Sequence, residues 1–211
     1  MGIDDALMEA SKGSAPVVLL DTGDNIGGGS PGDSTHLLAA AQRLGIRGIF
    51  QTLCDPEAVE ASSAAGIGTR VNLAVGGKTD LLHGAPVTIV GTVTVLFDGL
   101  FEDATPVHGG FRFYDSGESA LIATDDGHDL LLTSLPVGTT SLQQLRSVGI
   151  EPTTQPIIIA KGVNSPRAAF EPIASAMLYV ATPGATSADL TSFAYRHRRR
   201  PMFPFESNAA Y

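Results

Sequence analysis

The sequence predicts an α/β fold: a mixed sheet with a parallel βαβ core, flanking helices and an antiparallel middle subregion. Three observations carry this. Apolar runs and helix-period segments alternate through residues 17–75, the pattern of parallel strands joined by crossover helices. Across residues 87–133 the chain turns to short Val-, Ile- and Thr-rich runs broken by Gly, Asp and His, as antiparallel strands require. From residue 140 onward strand and helix signals alternate again. The 211 residues, 43% of them hydrophobic, suffice for one large domain or a domain with a small extension.

The elements follow in order. Ile3, Ala6, Leu7 and Ala10 recur at helical spacing, and Ser11-Lys12-Gly13-Ser14-Ala15-Pro16 reads as a linker, so 1–15 is expected to be an N-terminal helix and linker ahead of a domain over 16–205, with a tail over 206–211. Val17-Val18-Leu19-Leu20 is a buried parallel strand and 36–44 an amphipathic helix. Residues 48–53 make a second strand. Asp55-Pro56 starts a helix over 57–65, with an N-cap followed by proline at the first helical position, and Gly66 ends it. Residues 70–75 alternate as a third strand, which the βαβαβ order assigns to the parallel core with right-handed crossovers.

In the middle, 87–96, 111–113, 119–123 and 130–133 read as about four antiparallel strands, with Asp125-Asp126-Gly127 a hairpin signal. Ser141 and Gln144 form a capping-box pattern for a helix that ends at Gly149. Residues 156–160 are a buried strand. Ser165 is the expected N-cap of the next helix, with Pro166 at its first position, and 176–180 is the last strand.

The densest stretch is the strand-to-helix loop Asp21-Thr22-Gly23-Asp24-Asn25-Ile26-Gly27-Gly28-Gly29-Ser30-Pro31-Gly32-Asp33-Ser34-Thr35. Ligands of open α/β sheets sit at such loops, beyond the carboxyl ends of the strands. Asp33 or Ser34 is placed to cap the helix that follows. The loop is no P-loop, because no Lys-Ser/Thr pair follows its glycines, and Pro31 interrupts any dinucleotide fingerprint. Its three aspartates argue against a bare phosphate and suit a hard cation, an amine or hydroxyls. The plain alternative is a rigid connector whose aspartates bond their own backbone. The density of special residues favours a functional or interface role.

Composition removes other classes. The net charge of −9 argues against nucleic acid and an anionic membrane surface. The single cysteine, Cys54, excludes an internal disulfide and a cysteine-based zinc site, and points to a buried thiol in a reducing cytoplasm. Met1-Gly2-Ile3-Asp4-Asp5-Ala6 is acidic where signal peptides are basic, and no apolar run is long enough to span a bilayer. Such a start reads as the tail of something longer. The five histidines show no i, i+3 or i, i+4 pair, so no helical metal pair exists; each reads as a surface or structural histidine, with His108-Gly109-Gly110 the partial exception. No Gly-x-Ser-x-Gly elbow occurs. Of three lysines, Lys78 and Lys161 stand at strand ends, where each either pairs with Asp21, Asp24 or Asp33 or meets a ligand carboxylate. The basic run 196–200, followed by Met202-Phe203-Pro204-Phe205, reads as a segment that packs on a neighbour.

The 21–35 loop resembles the signature loop of the C-terminal domain of the microcystinase C (MlrC) family. Asp55-Pro56-Glu57-Ala58-Val59, Gly76-Gly77-Lys78, His108-Gly109-Gly110, Lys161-Gly162-Val163-Asn164, Thr182-Pro183-Gly184-Ala185-Thr186 and Tyr195-Arg196 agree in order. The resemblance implies a metal-dependent, metallopeptidase-like hydrolase of peptide-like or small amide substrates. It places the zinc ligands in an N-terminal domain, in the same or a separate chain, so no zinc is expected on this one. One departure stands out: Ser165-Pro166-Arg167 occupies the place of a histidine-phenylalanine pair before the arginine in many relatives, so no role of that histidine carries over.

The expected substrate-binding or interface set is Asp21, Asp24, Asn25, Gly27, Gly28, Gly29, Pro31, Gly32, Asp33, Ser34, Lys78, His108, Lys161, Asn164 and Arg167, with no catalytic residue and no metal ligand. In this reading the isolated chain is inactive. The alternative is a non-catalytic binding or assembly module whose loop docks a partner domain. A homo-oligomer is one way to cover apolar surface left by a missing domain, and the sequence leaves it open. A free-standing hydrolase with a metal on Asp21, Asp24 and Asp33 is the poorest reading, since carboxylates alone suit magnesium or calcium better than zinc.

Overall fold

The computed structural model describes residues 1–105 and 108–209; of the expected tail over 206–211, residues 210 and 211 lie outside the described residues. One eight-stranded sheet runs through the molecule. Its strands are β1 (Val17–Asp21), β2 (Ile49–Cys54), β3 (Arg70–Val75), β4 (Val87–Phe97), β7 (Ser119–Thr124), β8 (Asp129–Thr133), β9 (Ile157–Lys161) and β10 (Ala176–Val180), and a separate two-stranded flap pairs β5 (Leu100–Glu102) with β6 (Phe113–Asp115). The spatial order is β10-β1-β9-β2-β8-β7-β4-β3. From β10 to β8 neighbours run parallel, and from β8 to β3 they run antiparallel.

Burial follows this division. β1 and β9 are buried at every position, as strands covered on both faces must be. Val17, Leu19, Ile157 and Ile159 face one side, under α1 (Ile3–Ala10) and α2 (His36–Leu44). Val18, Leu20, Ile158 and Ala160 face the other, with Leu145 of α4 (Gln143–Arg146) and Phe170 of α5 (Arg167–Phe170). α3 (Pro56–Ala65) covers the antiparallel half through Ala58 and Val59. Asp55 caps α3 as expected, its carboxylate accepting the Ala58 N–H at 3.1 Å.

Four local expectations are corrected. The third strand does not join the parallel core: β9 lies between β1 and β2, β8 occupies the other side of β2, and β3, exposed at alternate positions, takes the antiparallel edge. Residues 111–113 do not extend the large sheet; the strand there is β6, in the flap. The capping box does not form, because the Ser141 hydroxyl accepts from Gln143 and donates to Asp103, leaving the buried Gln144 amide without a hydrogen bond. The N-caps of α2 and α5 are Thr35 and Pro166, without a side-chain bond, so Asp33, Ser34 and Ser165 are free for other duties.

Candidate functional site

The site is built at the carboxyl ends of β1 and β9. Asp21 and Lys161 are register partners on these strands and both are buried. Two parallel strands side by side thus carry a carboxylate and an ammonium to the same level, immediately beneath the glycine loop. Lys161 Nζ lies 2.7 Å from Asp24 Oδ2, 3.4 Å from the Ser34 carbonyl and 3.6 Å from Asp21 Oδ2. Asp24 also accepts the Gly32 and Ser34 N–H groups, each at 2.8 Å. One buried carboxylate therefore staples both halves of the loop to the sheet.

Burial alone would raise Asp24, but the Lys161 ammonium and the hydrogen bonds from Lys161, Ser34 and Gly32 outweigh it and hold the carboxyl below the usual range. Burial pushes Asp21 above that range; Lys161 opposes the shift and the Asp24 charge adds to it. For Lys161 burial favours the neutral amine, yet Asp24 and Asp21 raise it above the ordinary lysine value.

The loop rim is tied to the segment after β10. The Thr182 hydroxyl donates to Asp21 and accepts the Gly23 N–H, and Thr186 Oγ1 accepts the Asn25 N–H at 3.0 Å. His83, fully buried, completes the collar. Its Nδ1 sits 2.8 Å from Asp80, its Nε2 accepts the Ala185 N–H at 3.1 Å, and the same Nε2 is 3.9 Å from Asp24 Oδ1. On the inner side, Gln51 of β2 donates to the Ser34 carbonyl at 3.0 Å. Asp33 Oδ2 accepts the Lys78 and Thr79 N–H groups, each at 3.0 Å.

Of the expected residues, Asp21, Asp24, Gly32, Asp33, Ser34 and Lys161 come together in this centre. Asn25 and Pro31 are half-buried and Gly27, Gly28 and Gly29 form the exposed crest. His108 is exposed and, with Ile26 and Gly27, lines a cleft of about 210 Å³ to which Phe111, Tyr114, Gly138, Thr140, Lys161 and Ser165 also contribute. Lys78 stands apart: its ammonium pairs with Asp55 at 2.9 Å and Glu57 at 3.1 Å, not with Asp21, Asp24 or Asp33. Asn164 and Arg167 meet on the surface, both bonded to the Tyr179 hydroxyl at 3.0 Å.

Sequence reasoning passed over His83, Gln51, Thr182 and Thr186 as site residues. Gln51 carried a signal, a lone amide within the otherwise apolar-and-threonine run of β2. His83 had only Asp80, three positions before it, as a local sign; its other neighbours, Asp24 and Ala185, are remote in the chain.

Cys54 is half-buried rather than fully buried, and burial, with the charges of Asp33 and Asp55, pushes its thiol up to about 11. Among the described residues no group of three or more His, Cys, Asp or Glu is arranged to hold a metal ion, and no helix is long and apolar enough to cross a membrane. Of the three loop aspartates, Asp24 is spent on an ammonium and two amides and Asp33 Oδ2 on two more amides, while Asp33 Oδ1 and Asp21 Oδ2 are buried without a hydrogen bond.

Loop, lysine floor and aromatic flap together define an α/β domain with its site at the carboxyl ends of parallel strands. Comparison with known proteins agrees on fold and family. A crystal structure described as "Putative metallopeptidase" from Mesorhizobium sp. BNC1 superposes with a TM-score of 0.85 at 28% identity, over 98% of this chain and 41% of that one. Microcystinase C of a Sphingomonas species is 31% identical over 193 residues, 90% of this chain. The present chain spans only 36% of that relative's length. The family described as MlrC C-terminus matches residues 19–197, and the chain belongs to it.

Proposed function

We propose that this chain is the C-terminal domain of an MlrC-like, metal-dependent hydrolase of peptide-like or small amide substrates, working in the cytoplasm. The metal, zinc by the family resemblance, belongs to an N-terminal domain in the same or a separate chain. The domain's own task is to bind and orient: Ile26 and Gly27 of the glycine loop form one wall of the substrate cleft, with the loop held in shape by Asp24 and Lys161. The observation that carries this reading is the cleft between the glycine loop and His108, open to solvent above a floor whose charges are already paired. Rigid walls on a fixed floor are what substrate positioning needs.

The test is elemental analysis of the purified chain, paired with a linear-peptide hydrolysis assay with added zinc. The expected result is no stoichiometric zinc and no turnover. Zinc-dependent turnover by this chain alone would refute the division of labour.

A second reading, a non-catalytic module that docks a partner, is favoured by one observation. Leu100 and Phe113 lie on the flap face opposite the stacked Phe101 and Tyr114, and are 60% and 73% exposed. Concentration-dependent sedimentation that Phe113→Ser abolishes would support it and would identify the docking partner as a second copy.

A further inference from the structure

The three glycines of the loop crest are not equivalent. Gly29 has φ +97°, where other residues are strained. A Cβ on Gly28 would stand 2.7 Å from the Thr186 methyl, so close approach requires glycine there. At Gly27 neither reason applies: its φ is not positive, and a Cβ would meet only Asn25 Oδ1, at an ordinary 3.5 Å. The fold does not demand a bare backbone at Gly27, yet Gly27 is where the loop lines the cleft.

The rest of the lining says what the bare wall leaves room for. Phe111, 61% exposed, and Tyr114, fixed by stacking on Phe101 at a centroid distance of 4.7 Å, supply aromatic surface. Ile26 adds an apolar edge, with the exposed His108 imidazole, Thr140 and Ser165 as polar groups. The charge on the floor is spent: the Lys161 ammonium is held by Asp24, Asp21 and the Ser34 carbonyl, leaving nothing for an incoming carboxylate. Asp24 is likewise taken, so an incoming ammonium finds no free acceptor on it. At about 210 Å³ the cleft is smaller than pockets that enclose a whole small-molecule ligand, which start near 300 Å³, and it suits one large group.

We propose that this cleft is a side-chain pocket for one uncharged aromatic or branched apolar group of a peptide-like ligand, with Gly27 kept bare to admit it. The proposal rests on the reading of the chain as a substrate-facing domain and names the chemistry of one subsite.

The test is an amide-shift titration of the ¹⁵N-labelled chain with N-acetyl-phenylalanine amide and, separately, N-acetyl-glutamate amide. The aromatic probe is expected to give saturable shifts at Gly27, Gly138 and Ser165, and the acidic probe none. Gly27→Leu, which adds a bulky side chain at a residue lining the pocket, is expected to abolish the shifts. Phe111→Ala, a change at an exposed position that spares the fold, weakens binding by about 2- to 10-fold. Absence of saturable shifts at tens of millimolar probe, equal response to the acidic probe, or full binding by Gly27→Leu overturns the pocket. The zinc turnover assay is independent: turnover with saturable probe binding overturns the division of labour and leaves the pocket standing.

Discussion

The two walls of the cleft are held by opposite means. The glycine loop is fixed from beneath by buried polar groups that bond one another: Asp24 to Lys161 and two amides, Thr182 to Asp21, His83 to Ala185. The flap is a two-stranded ribbon steadied by the Phe101–Tyr114 stack, by an ion pair between Arg112 and Glu102, each about half exposed, and by one buried tether at its base, the Ser141 hydroxyl donating to Asp103. Buried charge-assisted bonds hold one geometry and are costly to break. Surface pairs are worth about 0–1 kcal/mol. The loop is the fixed wall and the flap the tolerant one.

Mutations should expose this contrast. The largest effect is expected from Asp24→Ala, which strands the buried Lys161 ammonium beside an Asp21 that burial drives toward its neutral form. By analogy with other broken buried pairs the loss is about 3–5 kcal/mol, read as a shifted urea midpoint.

A smaller effect separates the two aspartates of the floor by pH. Asp24 lies below its ordinary value of 3.8 when folded. Its contribution is present above that value and is lost as pH falls through the folded one, so the deficit of Asp24→Asn shrinks toward low pH. Asp21 lies above 3.8. Its contribution is complete below that value and is lost as pH rises through the folded one, so Asp21→Asn gains on the wild type as pH climbs toward neutrality. Urea midpoints across the acid range check both; parallel curves for the two variants would refute the assignment.

The smallest effect is expected in the flap. Phe113→Ser, at an exposed position, should leave stability within about 0.5 kcal/mol.

What the sequence disclosed follows the same line. The fully buried strands β1 and β9 announced themselves as apolar runs, and the capped start of α3 was legible in Asp55-Pro56, because both signals are local. The place of β3 was not, since nothing inside residues 70–75 records that β8 and β9 already flank β2. In the site, the loop was legible as a cluster of glycines and aspartates, and Lys161 as a scarce lysine at a strand end. That Lys161 and Asp24 are partners, and that Lys78 serves Asp55 and Glu57, is decided by strand order. His83 reaches Ala185 across 102 positions, a span on which no pattern within one segment bears.

The bond between Lys161 and Asp24 joins residues 137 positions apart. During synthesis the glycine loop therefore emerges long before the lysine that shapes it. β1 and β2 wait with a gap between them until β9 arrives to fill it. Contacts of such span form slowly, because the entropy of closing so long a loop is lost before the contact offsets it. A chain halted anywhere before residue 161 thus holds every residue of the loop but not the ammonium that anchors it.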